Sequence, residues 1–272
     1  MNSRRTSRHL RLWQVLIVAG LFTIWHVTTH PTLLPPFYFD NPNKAAFFFG
    51  QPLEVLSRVW IWFSSGSIYE HLWVTLLETV LAFAIGTVSG LVVGLWLALS
   101  PTAAALFDPY IKAVNSMPRV ILAPIFGVWF GLGMASKVAL GVTLVFFIVF
   151  FNVYQGVREV SHTVLANARV LGASERQLLR HVYVPSAMSW VFASLHNSVG
   201  LAFVGAVVGE YLGSSRGVGY LILQAEGTFD INSVFAGILV LTAFALVLDG
   251  IVTLAERRLM LWQPRSGETE RI

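Results

Sequence analysis

A chain of 272 residues with 56% apolar and only 12% charged side chains carries more hydrocarbon than one soluble domain of that length can bury; ordinary globular domains are about 25% charged. Cysteine is absent, which excludes disulfides and thiolate metal sites. The net charge of +4 would suit nucleic acid, but the placement of the basic residues between apolar runs accounts for it, so membrane lipid is expected and no nucleic-acid partner is.

A hydrocarbon core of about 30 Å takes ~20 apolar helical residues to cross. Six such runs are predicted, near residues 12–28, 71–99, 120–134, 138–157, 187–209 and 234–254, giving an all-α polytopic membrane protein. RRTSRHLR ahead of the first run has the opening of a secretory signal, yet HVTTHPTLLPP after it lacks a small-residue cleavage pattern, so the run reads as a retained anchor. Residues 31–69 are rich in Pro, Phe and Trp, and Leu53, Leu56, Val59, Trp60 and Phe63 predict an amphipathic helix at the outer interface. The expected domains are an anchor with this external segment over 1–70, a core over 71–262 and a tail over 263–272.

In the second run Gly86, Gly90 and Gly94 leave a flat stripe for close helix packing, with an interface between two copies as one candidate. The third run is short, carries Pro124, and is parted from the fourth only by Gly131, Gly133 and Lys137. It is expected to be tilted, broken or re-entrant.

Between the fourth and fifth runs lies GVREVSHTVLANARVLGASERQLLRHVYVPS, residues 156–186. It is too basic for hydrocarbon, yet its apolar residues keep helical spacing. One helix is predicted from Arg158 to Leu171, with Gly172 at the position that tolerates positive φ. A second starts under a Ser174–Gln177 capping box, aligns Leu178 with Val182, and stops at Pro185. On the residues alone, a plug for a partner protein and a solvated loop stay equally open. A cytoplasmic N-terminus leaves only Lys44, Arg58, Lys137 and Arg216 of the 18 Lys and Arg outside. That asymmetry places both termini and the 156–186 loop inside the cell.

The order Ala168, Gly172-Ala173, Val182, Val184, Pro185 resembles the EAA signature of bacterial ABC-importer permeases, with Ala166-Asn167 where the family has Glu-Ala. SPTAAALFDPYIKAVNSMPRVILAPIFGVWFGLGMASKV, VVGEYLGSSRGVGYLI and LDGIVTLAERRLMLW are similar to segments of that family's nitrate, sulfonate and taurine branch, extending the resemblance from Glu70 to Trp262. It implies a type I ABC-importer permease fold with six transmembrane helices and a cytoplasmic coupling-helix loop, in a bacterial inner membrane. The implied partners are a second copy of the chain, two cytoplasmic ABC ATPase subunits and an external substrate-binding protein, periplasmic or lipid-anchored. ATP and Mg would sit on the ATPase and no cofactor on this chain, which is not expected to be an enzyme. The implied coupling-loop residues are Ala168, Arg169, Gly172, Ala173, Ser174, Glu175, Leu178, Val182 and Pro185. The solute class is a small anion such as nitrate, a sulfonate, taurine or bicarbonate; the alternative is a small heterocycle or aromatic such as a thiamine-pyrimidine precursor.

Polar residues inside spans are costly against lipid and are therefore pathway candidates: Thr75, Glu78 and Thr79 in the second run, His196, Asn197 and Ser198 in the fifth. Interhelical hydrogen bonding is the competing reading for each group. Glu210 in VVGEY is a candidate gate or receptor contact. The sequence has no phosphate-binding G-x-x-x-x-G-K-[ST] loop and no H-E-x-x-H. A self-contained secondary transporter would call for inverted repeats with midplane carboxylates, and no internal repeat is evident.

Overall fold

The computed structural model describes residues 3–33, 43–193 and 195–259. Among these the chain is helical and contains no strand. It divides into two compact units, Met1–Tyr69 with Leu221–Leu241, and Glu70–Tyr220 with Thr242–Ile272.

In the first unit, α1 (Ser3–Thr29) is followed by α2 (Lys44–Phe49) and α3 (Pro52–Ser65). Apolar side chains are exposed around α1, as suits a helix whose solvent is lipid. The Trp25 indole donates to Phe49 O at 3.0 Å, and Asn232 Oδ1 accepts from Gln51 N at 2.8 Å. On α3, Val55 turns inward at 1% exposure, whereas Leu53, Leu56, Trp60 and Phe63 face out of the chain. The stripe expected from spacing is thus an outward-facing one, and 34–42 of that segment lie outside the described residues.

The second unit is built on α4 (Ser67–Leu99) and α7 (Met134–Arg158). At 33 residues α4 spans about 50 Å, so it overshoots the hydrocarbon and carries its polar first turns beyond it. A methyl group added at Gly90 would stand 2.8 Å from Phe146 O and 2.9 Å from Val149 Cβ, and one at Gly94 would stand 2.9 Å from Val153 Cβ. The glycine stripe therefore receives the valines of α7 in the same chain, and that is its occupant. Because 86, 90 and 94 meet 145, 149 and 153 in order, α4 and α7 run in the same direction.

The third expected span takes another form. Helix α5 (Pro101–Asn115) starts under a Ser100 cap, passes through a 3-10 turn at Arg119–Ile121 and continues as α6 (Leu122–Phe130). The two halves are bent by 77°. The chain breaks at Pro118, whose backbone is extended at φ −65° and ψ 98° and whose ring disfavours a helical residue before it. Four helices are long and apolar enough to cross a membrane, and the bent pair brings the number to five among the described residues.

The loop contributes α8 (His162–Val170) and α9 (Glu175–Leu178), and α9 runs through a π turn, Leu179–Tyr183, into α10 (Val184–Ala193). Pro185 therefore does not stop the helix but lies in its continuation. The wide π turn just ahead relieves the clash of the proline ring with the carbonyl four residues back and absorbs its missing donor. Helix α11 (Leu195–Leu212) runs against α7, because 202 and 205 meet 141 while 209 meets 137. Helices α12 (Val218–Gly227) and α13 (Ile231–Leu259) complete the described chain.

Candidate functional site

Two clusters of predicted residues lie at opposite ends of α7. At its C-terminal end, Ser186 Oγ donates to Gly156 O at 2.7 Å and the Trp190 ring covers Gly156, so the loop leaves from a fixed base. Helix α8 carries Ala168 and Arg169, and the chain turns at Gly172 with φ +83°. Gly172 N donates to Arg169 O at 2.9 Å and Ala173 N to Ala168 O at 3.0 Å, which closes the helix in the manner that a glycine at this position permits. The restart is capped on both sides. Ser174 Oγ accepts from Gln177 N at 3.4 Å, and Ser174 N donates to Gln177 Oε1 at 2.8 Å.

Across the turn Arg169 pairs with Glu175 at 3.4 Å. Leu178 is 1% exposed, Val182 is half-buried and Pro185 is exposed. The tip shows the opposite pattern: Val170 and Leu171 are each 86% exposed. The turn is thus held by its own backbone and displays two aliphatic side chains at its tip.

At the other end Thr75, Glu78, Thr79, Lys137 and Glu210 are all buried within the chain, none exceeding 2% exposure. Thr75 Oγ1 donates to Glu210 Oε1 at 2.6 Å and accepts from Val218 N at 3.2 Å. Gly219 N donates to Glu210 Oε2 at 2.8 Å. Glu210 therefore spends both carboxylate oxygens inside the protein and presents neither at a surface. Glu78 faces it carboxyl to carboxyl, its Oε2 without a hydrogen-bond partner, and the Lys137 charge acts on both. Lys137 Nζ donates to Leu132 O at 2.5 Å, which ties the end of α6 to α7. Thr79 is satisfied locally, donating to Thr75 O at 2.7 Å.

The predicted polar run in α11 splits. Asn197 is exposed, Ser198 is 1% exposed with its hydroxyl unpartnered, and the side chain of His196 lies outside the described residues. Among the described residues no group of three or more His, Cys, Asp or Glu could hold a metal ion.

Residues 90–261 match the model of the binding-protein-dependent transport system inner membrane component family. The chain belongs to that family. Relatives agree along most of its length. A Bacillus subtilis (strain 168) chain bearing the name of an aliphatic sulfonates transport permease protein, SsuC, is 33% identical over 73% of this chain and 72% of its own. The formylaminopyrimidine transport permease protein ThiX of Halalkalibacterium halodurans is 29% identical over 90% of this chain and 93% of its own. A chain from the inward-facing methionine ABC transporter MetNI superposes with a TM-score of 0.58 at 20% identity, covering 70% of this chain and 92% of that one. This is the ABC-importer permease fold, and the family's function, a multi-pass permease subunit of a binding-protein-dependent transporter, is that of this chain.

Within the permease, sequence reasoning missed Lys137, which it assigned to an external hinge. The signal was available: a lysine three residues into a 25-residue apolar helix calls for a polar partner, here the Leu132 carbonyl. It also missed His71, whose Nδ1 lies 3.1 Å from both the N–H and the carbonyl oxygen of Gly217.

Proposed function

We propose that this permease works as a pair of copies, docks two cytoplasmic ABC ATPase subunits through the 156–186 loop, and receives its solute from an external binding protein. The observation that carries this reading is the loop itself. A backbone-locked turn holds Val170 and Leu171 out at 86% exposure from a base fixed by Gly156, Ser186 and Trp190. ATP and Mg belong to the ATPase, whose closure would push the plug, and the helices packed behind it would swing the pathway between inward and outward access. The membrane is a bacterial inner membrane with both termini in the cytoplasm, because that orientation places the excess of Lys and Arg inside.

The solute we assign is a small anion of the sulfonate class, supported by the SsuC name of a relative at 33% identity. A small heterocycle is the second reading, and the ThiX relative, matched over 90% of this chain, favours it. The decisive experiment is a pull-down of the tagged chain from gently solubilised native membranes, with partners identified by mass spectrometry. An ABC ATPase recovered in equal amount supports the importer assembly, and the binding protein captured with it becomes the reagent for titrating taurine against a pyrimidine. Recovery of the chain alone, where other transporter complexes survive, overturns it.

A further inference from the structure

The turn between α11 and α12, residues 213–217, is fastened along one face of α4. From the surface inward, Arg216 Nη1 meets Glu70 Oε1 at 2.9 Å, Gly217 N meets His71 Nδ1 at 3.1 Å, Val218 N meets Thr75 Oγ1 at 3.2 Å, and Thr75 bonds Glu210 at 2.6 Å. Positions 70, 71, 75 and 78 lie close together on the helix surface, so one α4 face supplies every one of these contacts and also Glu78. The backbone is shaped for the same purpose. Gly217 has φ +104°, and a side chain there would run into the Glu210 carboxylate.

We infer that the 213–217 turn stays locked to α4 throughout the transport cycle, with Glu210 as the positioning residue that holds it. Detaching the turn from α4 would strip Glu210 of the Thr75 hydroxyl and would leave a buried carboxylate short of a donor, which is far costlier than breaking an exposed pair. On the α7 side the stem of Lys137 packs so tightly against α11 that a methyl group at Gly209 would come within 2.8 Å of Lys137 Cγ. Through the glycine stripe α4 is keyed to α7, and α7 ends in the base of the 156–186 loop. The turn, α4 and α7 therefore form one body whose far end carries the ATPase plug, and the pathway must open along other contacts.

This inference rests on the importer reading, and the experiment separates the two. The chain has no cysteine, so Glu70→Cys with Arg216→Cys gives a unique pair at positions already exposed. The purified complex with its ATPase is treated with a short, reducible bis-methanethiosulfonate crosslinker, once without nucleotide and once after trapping with ATP and vanadate. A locked turn gives crosslinking rates equal within about twofold in the two states. A fall of about tenfold on trapping, or no crosslink in either state, overturns the inference. Glu210→Gln, which keeps the shape and removes the charge, is expected to slow crosslinking at least about fivefold in both states; an unchanged rate removes Glu210 from the positioning role. If no ATPase accompanies the chain, the importer reading fails first, while crosslinking of the nucleotide-free chain still reports whether the turn sits on α4.

Discussion

Gly172 and Leu171 stand side by side in the loop and are expected to fail differently when changed. A Cβ at Gly172 meets nothing within 4 Å, so Gly172→Val pays only for forcing a β-branched residue to φ +83°, about 1–2 kcal/mol. The loop should lose its turn and the complex several-fold of its co-purified ATPase, while the melting temperature of the detergent-solubilised permease barely moves. Leu171→Asp leaves the turn intact and places a charge on an 86% exposed apolar tip. It should abolish ATPase recovery with no change in melting at all, and normal recovery would remove Leu171 from the contact. At the other end of α7, Lys137→Met removes the buried ammonium that donates to Leu132 O. The expected loss is about 1.5–3 kcal/mol in thermal or chaotrope melts, against at most about 1 kcal/mol for Glu70→Gln at the exposed pair with Arg216. Equal effects of the two substitutions would show that burial does not set the energetics here.

Between α4 and α7 the backbones themselves come into contact. Gly90 sits over Phe146 O and Phe150 N, which are backbone atoms of a packed helix and cannot turn aside as a side-chain end does. Gly90→Val is expected to force the helices apart at a cost of about 1–3 kcal/mol, read as a lowered melting temperature and a lower yield of folded protein in detergent. Gly20 and Gly250 meet nothing within 4 Å, so alanine at either should be tolerated, and a large loss there would point to a neighbour in an assembly. Legibility in the sequence follows the same division. The small-residue stripe could be read because a four-residue repeat in an apolar helix has one physical use, but its partner could not, since α7 lies more than 50 residues away. The bend at Pro118 and the helix that runs on through Pro185 turn on whether neighbouring turns can absorb a missing donor, which local sequence leaves open.

For the whole molecule, orientation is the property to measure. With no native cysteine, Ser215→Cys and Arg176→Cys report separately on the α11–α12 turn and the loop tip, in intact cells with a membrane-impermeant maleimide. Labelling at Ser215 and protection at Arg176 until the cells are opened is the expected result. The reverse pattern would invert the topology and remove the loop from the ATPase side.

Composition and periodicity determined by themselves that this chain is a helical membrane protein, that 156–186 folds into a capped helix, turn, helix segment, and where its main apolar spans lie. Those conclusions need only each residue's solvent preference and its neighbours three or four positions away, both of which a linear sequence carries. The packing of the helices, by contrast, is what buries Glu78, Lys137 and Glu210 and turns the Glu210 carboxylate to Thr75 and Gly219. It alone brought His71 and Glu70 to the α11–α12 turn, 146 residues from His71 to Gly217 along the chain. Charge pairing in a low-dielectric interior depends on distance in space, and helices running in opposite directions bring together residues whose spacing in the chain bears no mark of it.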